Sequence, residues 1–162
     1  MLKFLIIDGY NVINKIPVLD EKTSISLEFA RNFFISILRK FCLDKTFNKI
    51  IVVFDSKADN FYTQKQSYGK LEVIYSFAGR DADNVIVDIL RKFFKKAVIS
   101  VVSDDNFVKN HSKAYSASII TVKEFEKMIL PPKKVNKVKS EKKLDDNVAQ
   151  DIEKELKKYY NL

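Results

Sequence analysis

Three apolar runs of strand length each stop on aspartate. Leu2-Lys3-Phe4-Leu5-Ile6-Ile7 ends at Asp8, Ile50-Ile51-Val52-Val53-Phe54 ends at Asp55, and Val98-Ile99-Ser100-Val101-Val102 runs into Ser103-Asp104-Asp105. Runs this apolar, rich in β-branched residues, suit strands buried on both faces, as in parallel sheets covered by helices. Between them the apolar spacing changes to threes and fours, first at Leu27, Ala30, Phe34, Ile37, Leu38 and Phe41, then at Ile86, Ile89, Leu90, Phe93 and Phe94. The alternation predicts an α/β fold with a mostly parallel sheet of about five strands flanked by helices. Expected strands are 2–8, 49–55, 71–76, 97–103 and 117–121, and expected helices 24–43, 82–96, 105–113 and 122–129.

Open sheets of this kind bind ligands beyond the carboxyl ends of their strands, which is where these aspartates fall. Each one alone has a simpler account, because aspartate is a good helix cap and turn residue. Several together are costlier, since like charges held a few ångströms apart repel and raise one another's pKa. A cation relieves that cost. A further cluster, Gly79-Arg80-Asp81-Ala82-Asp83-Asn84, precedes the second helical pattern. Asp81 stands where a cap belongs and Asp83 in the first turn, where a negative charge is favoured and can also face the cleft.

Asp8, Asp83 and Asp104, with Asp55, Asp81 and Asp105 nearby, make an oxygen-only set suited to Mg²⁺ or Mn²⁺ rather than zinc. Hydrolysis of a phosphodiester is the chemistry such a site serves, with Arg80 a candidate substrate contact. No competing set is visible. The lone His111 lies in a polar stretch, Ser-His-Asp and Cys-His spacings are absent, and there is neither GxxxxGK[ST] nor GxGxxG. A receiver domain would need an acidic pair where the first strand supplies only Asp8.

A chain of 162 residues is large enough to bury a real core without disulfides. The single cysteine, Cys42, falls in the apolar pattern of the first long helix and suits a reducing compartment. No charged leader followed by an apolar stretch opens the chain and no run is apolar enough to span a bilayer, so a cytoplasmic protein without a membrane partner is expected. Twenty-nine Lys+Arg against 21 Asp+Glu give +8, an excess that points to a polyanion. It divides as +5 through residue 130 and +3 beyond, and just after Pro131-Pro132 Lys133, Lys134, Lys137, Lys139, Lys142 and Lys143 face only Glu141. We read residues 1–130 as one domain and 131–162 as a basic arm ending in a helix over 145–160, marked by Val148, Ile152, Leu156 and Tyr159.

The ordered set Ile7-Asp8-Gly9-Tyr10-Asn11-Val12-Ile13, Ala30-Arg31, Val52-Val53-Phe54-Asp55, Asp81-Ala82-Asp83 and Ser103-Asp104 resembles the YacP-type NYN family of PIN-like nucleases. The resemblance extends over nearly the whole chain. It implies a Rossmann-like, metal-dependent endoribonuclease that cuts messenger RNA on translating ribosomes. Carried over by motif, Asp8, Asp83 and Asp104 are the catalytic and metal-binding candidates, with Asp81 and Asp55 as further metal carboxylates. Asn11 and Tyr10 are candidate substrate contacts, as are Lys133, Lys134, Lys137 and Lys139 of the arm, and a monomer is the favoured state. The chain departs from the family pattern where Asn84 replaces an acidic residue and Val87 a glutamate. The alternative is therefore a catalytically weak RNA- or ribosome-binding factor on the same fold.

Overall fold

The computed structural model describes residues 1–56, 63–77 and 79–131, together with Gln150, Glu153 and Lys154. Its strands are β1 (Leu2–Asp8), β2 (Lys49–Phe54), β3 (Gln64–Tyr68), β4 (Leu71–Tyr75), β5 (Ala97–Val102) and β6 (Ser118–Ile120). Its helices are α1 (Gly9–Lys15), α2 (Pro17–Asp20), α3 (Leu27–Phe41), α4 (Ala82–Phe93), α5 (Asn106–Ala114) and α6 (Val122–Ile129), with a 3-10 turn over Glu21–Ser24. The strands form one sheet in the order β3-β4-β2-β1-β5-β6, parallel except where β3 pairs antiparallel with β4.

The period of two along β1 explains both layers. Leu5 and Ile7 enter a core with Val12, Phe34, Leu38 and Phe125, while Phe4 and Ile6 enter a second core with Ile86, Leu90 and Val101. Helices therefore cover both faces, and each fully buried Leu, Ile or Phe contributes roughly 1.5–3 kcal/mol. Cys42, half-buried just past α3, packs against the first core.

Side-chain caps set the helix starts. Ser26 Oγ accepts from the Phe29 amide at 2.9 Å, so the helix expected from residue 24 begins at Leu27, after the 3-10 turn. At α6, Thr121 and Glu124 form a reciprocal capping box. Phe94, expected inside the second long helix, stands at the end of α4 and is exposed.

The stretch between the expected strands 49–55 and 71–76 contains the edge strand β3, joined to β4 through Gly69 at φ +61°. All five residues of β3 are exposed, so no apolar alternation announces it. Lys57, Phe61 and Tyr62 of that stretch lie outside the described residues, as do Lys133, Lys134, Lys137 and Lys139 and the greater part of the expected last helix. Of the last, Glu153 is helical and forms an ion pair with the buried Lys22.

The topology positions the site. From β1 the chain moves outward through β2 to β4, then returns to place β5 on the other side of β1. That reversal opens a crevice beyond the carboxyl ends of β1 and β5.

Candidate active site

Asp8 is the last residue of β1 and is 7% exposed. The Ser103 hydroxyl, just past β5, donates to Asp8 Oδ2 at 2.9 Å and accepts from the Asp105 amide at 3.1 Å, so one buried serine links the two strand ends. Burial pushes the Asp8 carboxyl up to about 7 against the pull of that hydrogen bond, and Asp83, Asp105 and Asp55 add repulsion. Asp83, in the first turn of α4, is raised to about 6 by burial and then by Asp105, Asp81 and Asp55. Four aspartates from four separate segments thus act on one another at the crevice.

Asp55 accepts hydrogen bonds from the Ala82 amide and, at 3.4 Å, from Ser76 Oγ, which ties the end of β2 to the start of α4. Asp81 caps α4 by accepting from the Asn84 amide at 3.0 Å, and it also receives the Asn84 side-chain amide at 2.7 Å. Asp105 caps α5 through the Val108 amide at 3.1 Å. These aspartates satisfy helix ends and charge the crevice at once.

Asp104 has a different set of partners. Its Oδ1 accepts from the Val122 amide at 3.0 Å and its Oδ2 lies 3.3 Å from Lys15 Nζ, so it joins the β5–α5 loop to α6 and α1. Asp105, the next residue, raises both Asp8 and Asp83. Asn11 Oδ1 accepts the Asp104 amide at 3.0 Å and holds that loop against α1. The Tyr10 hydroxyl accepts from Arg31 at 2.8 Å, and its ring leans on Phe54 with centroids 5.2 Å apart. Arg80 pairs with Asp88 at the rim. Val87, where the family pattern carries a glutamate, is buried.

Gly9 sets how closely the first turn approaches the sheet. A Cβ there would sit 2.4 Å from the Phe54 ring and 2.9 Å from the Val53 carbonyl oxygen. Only glycine lets the chain turn into α1 directly behind Asp8 without moving that ring.

The donors are carboxylates alone, with no sulfur or imidazole among them, which fits a hard divalent ion. Among the described residues no group of three or more His, Cys, Asp or Glu side chains is placed to hold a metal ion.

Of this constellation the sequence points to Asp8 and Asp83 as catalytic candidates, to Asp55 as a further metal carboxylate, and to Asp105 as a nearby carboxylate of the same set. Ser103 was not singled out. Its one signal is a polar residue between a buried strand and two carboxylates.

The family model for the YacP-like NYN domain matches residues 5–161. A curated Bacillus subtilis protein described as "Uncharacterized protein YacP" is 33% identical over 85 residues, which is 52% of this chain and 49% of that protein. The match therefore spans about half the length of that relative. Two crystal structures of Rae1 (YacP) from Bacillus subtilis share the fold. One, a mutant, has a TM-score of 0.65 and 24% identity over 78% of this chain and 74% of its own. The other has a TM-score of 0.63 and 22% identity over 98% of this chain and 82% of its own.

Proposed function

Because the chain belongs to the YacP-like NYN family of the PIN-like nuclease superfamily, we propose that it is a metal-dependent endoribonuclease whose active site is the carboxylate crevice. The observation that carries this reading is the coupling of Asp8, Asp83, Asp105 and Asp55 at the switch point of the sheet. Asp8, Asp83 and Asp105 would hold the ion, with Asp55 supporting them. Mg²⁺ or Mn²⁺ bound there supplies positive charge against the phosphodiester and lowers the pKa of an attacking water.

The chain's own residues perform the remaining tasks. Ser103 fixes the orientation of the Asp8 carboxylate, and burial holds a proton on it up to about neutral pH. Asp104, through Lys15, Val122 and Asn11, positions the loop that carries Asp105. Arg80 offers a guanidinium at the rim to the RNA backbone.

Messenger RNA on translating ribosomes is the proposed substrate, supported by the family likeness and by the +8 charge. Comparing cleavage of free RNA with cleavage in a translating extract tests it. Cutting confined to translated messages supports the ribosome as partner, and equal cutting of both removes it. A second reading, an RNA- or ribosome-binding factor with weak catalysis, is favoured by Asn84 and by the buried Val87.

A further inference from the structure

A second concavity lies outside the carboxylate crevice. It is a groove of about 400 Å³ between α4 and the β3–β4 edge, where the sheet face continues beyond the helix that covers it. Ile51 and Ile74 form part of its lining, and Phe77 and Phe93 contribute ring surface. Arg80 lies at the end nearest Asp81 and Asp83, and because α4 runs antiparallel to the strands, Lys49 and Lys92 lie at the far end. The twelve residues of α4 give this path a length of about 18 Å.

The charges of the groove are unevenly matched. Lys49 and Lys65 share one carboxylate, Glu72, at 2.9 and 3.9 Å. Arg80 shares Asp88 with Arg91, which lies 3.6 Å from it. Lys92 adds a further ammonium at the lip, 5.2 Å from the centroid of the Phe93 ring. Cations in excess of anions, set along aromatic rings, are the features of a single-strand track.

We propose that this groove carries the RNA strand on one side of the scissile phosphate, with Arg80 at its mouth and Lys49, Lys65 and Lys92 along its length. The inference rests on the nuclease reading for its direction, but its test does not. Single-stranded RNA binding is measured by fluorescence anisotropy in EDTA over a range of salt, where no metal-dependent cleavage intervenes. The full chain is compared with Lys49→Gln/Lys65→Gln/Lys92→Gln and with Glu72→Gln.

Losing three phosphate contacts should reduce the slope of log affinity against log salt by about 2 for a single strand. Glu72→Gln, which releases two lysines from their shared carboxylate, should tighten binding several-fold, a gain that misfolding cannot imitate. An unchanged slope in the triple variant, or weaker binding by a folded Glu72→Gln protein, overturns the groove assignment. Because the assay contains no cleavage step, a chain that binds as described but never cuts RNA would overturn the nuclease reading while leaving the track in place.

Discussion

The Ser103 hydroxyl lies 2.9 Å from Asp8 Oδ2 and also receives the Asp105 amide at 3.1 Å, so the ends of β1 and β5 share a single buried oxygen. Through that oxygen the Asp8 carboxylate and the loop carrying Asp105 are held in one arrangement. The hydrogen bond favours the ionised form of Asp8, yet burial outweighs it and leaves the carboxyl near 7. Asp8 therefore keeps its proton up to about neutral pH.

Asp8→Asn should stabilise the protein at alkaline pH. The unfolded chain ionises Asp8 near 3.8 and the folded one near 7, so the folded state binds the extra proton between those values and stability falls as pH rises through that window. An asparagine imitates the protonated form. At pH 8 the gain is up to roughly 4 kcal/mol from a shift of this size, shrinking toward zero near pH 4. Thermal melts of both proteins across pH check this, and equal melting temperatures at pH 8 would contradict it.

Divalent cations should produce the same relief by binding. Mg²⁺ or Mn²⁺ at about 100 times its dissociation constant raises native stability by roughly 2.7 kcal/mol. The increase in melting temperature should be larger at pH 8 than at pH 5, where Asp8 and Asp83 hold protons, and should vanish in Asp83→Asn. A melt series with and without EDTA measures it without any RNA present.

Gly9→Ala should destabilise the fold and disturb the site together. The added methyl meets the Phe54 ring at 2.4 Å, and overpacking of this kind costs about 1–3 kcal/mol. Phe54 in turn supports Tyr10, so the turn behind Asp8 shifts with it. Denaturant unfolding gives the first effect, and loss of cation-dependent stabilisation gives the second.

Asn11→Ala should loosen the β5–α5 loop by removing the acceptor of the Asp104 amide. An unpaired half-buried amide costs about 1–3 kcal/mol. Faster hydrogen exchange at residues 104 and 105, with the core strands unchanged, is the expected signature.

β1 and β2 were legible in the sequence because both their faces are buried, which leaves continuous apolar runs with an abrupt polar end, and β5 because its run stays apolar although Val98 is exposed. β3 was not, because Gln64–Tyr68 is an exposed edge paired on one side only. Helices α1 and α2 are too short to show a period and lack side-chain caps, so Val12, Ile13 and Leu19 read as loop residues although they are buried. Asp8, Asp55 and Asp83 stand out because each follows a strand or opens a helix. Asp104 and Asp105 are neighbours in one loop, and only tertiary contacts separate them. Val122 and Lys15 engage the first, while the second faces the crevice.

The most direct test is cleavage of RNA by the wild-type chain, Asp83→Asn and Asp105→Asn, each with Mg²⁺, with Mn²⁺ and with EDTA, on free RNA and in a translating extract. The account predicts cutting by the wild type that needs the metal, and a fall of at least about 100-fold in both variants, on the scale of removing one charge-stabilising group from a reaction centre. Metal-independent cutting, or full activity in Asp83→Asn, would contradict it.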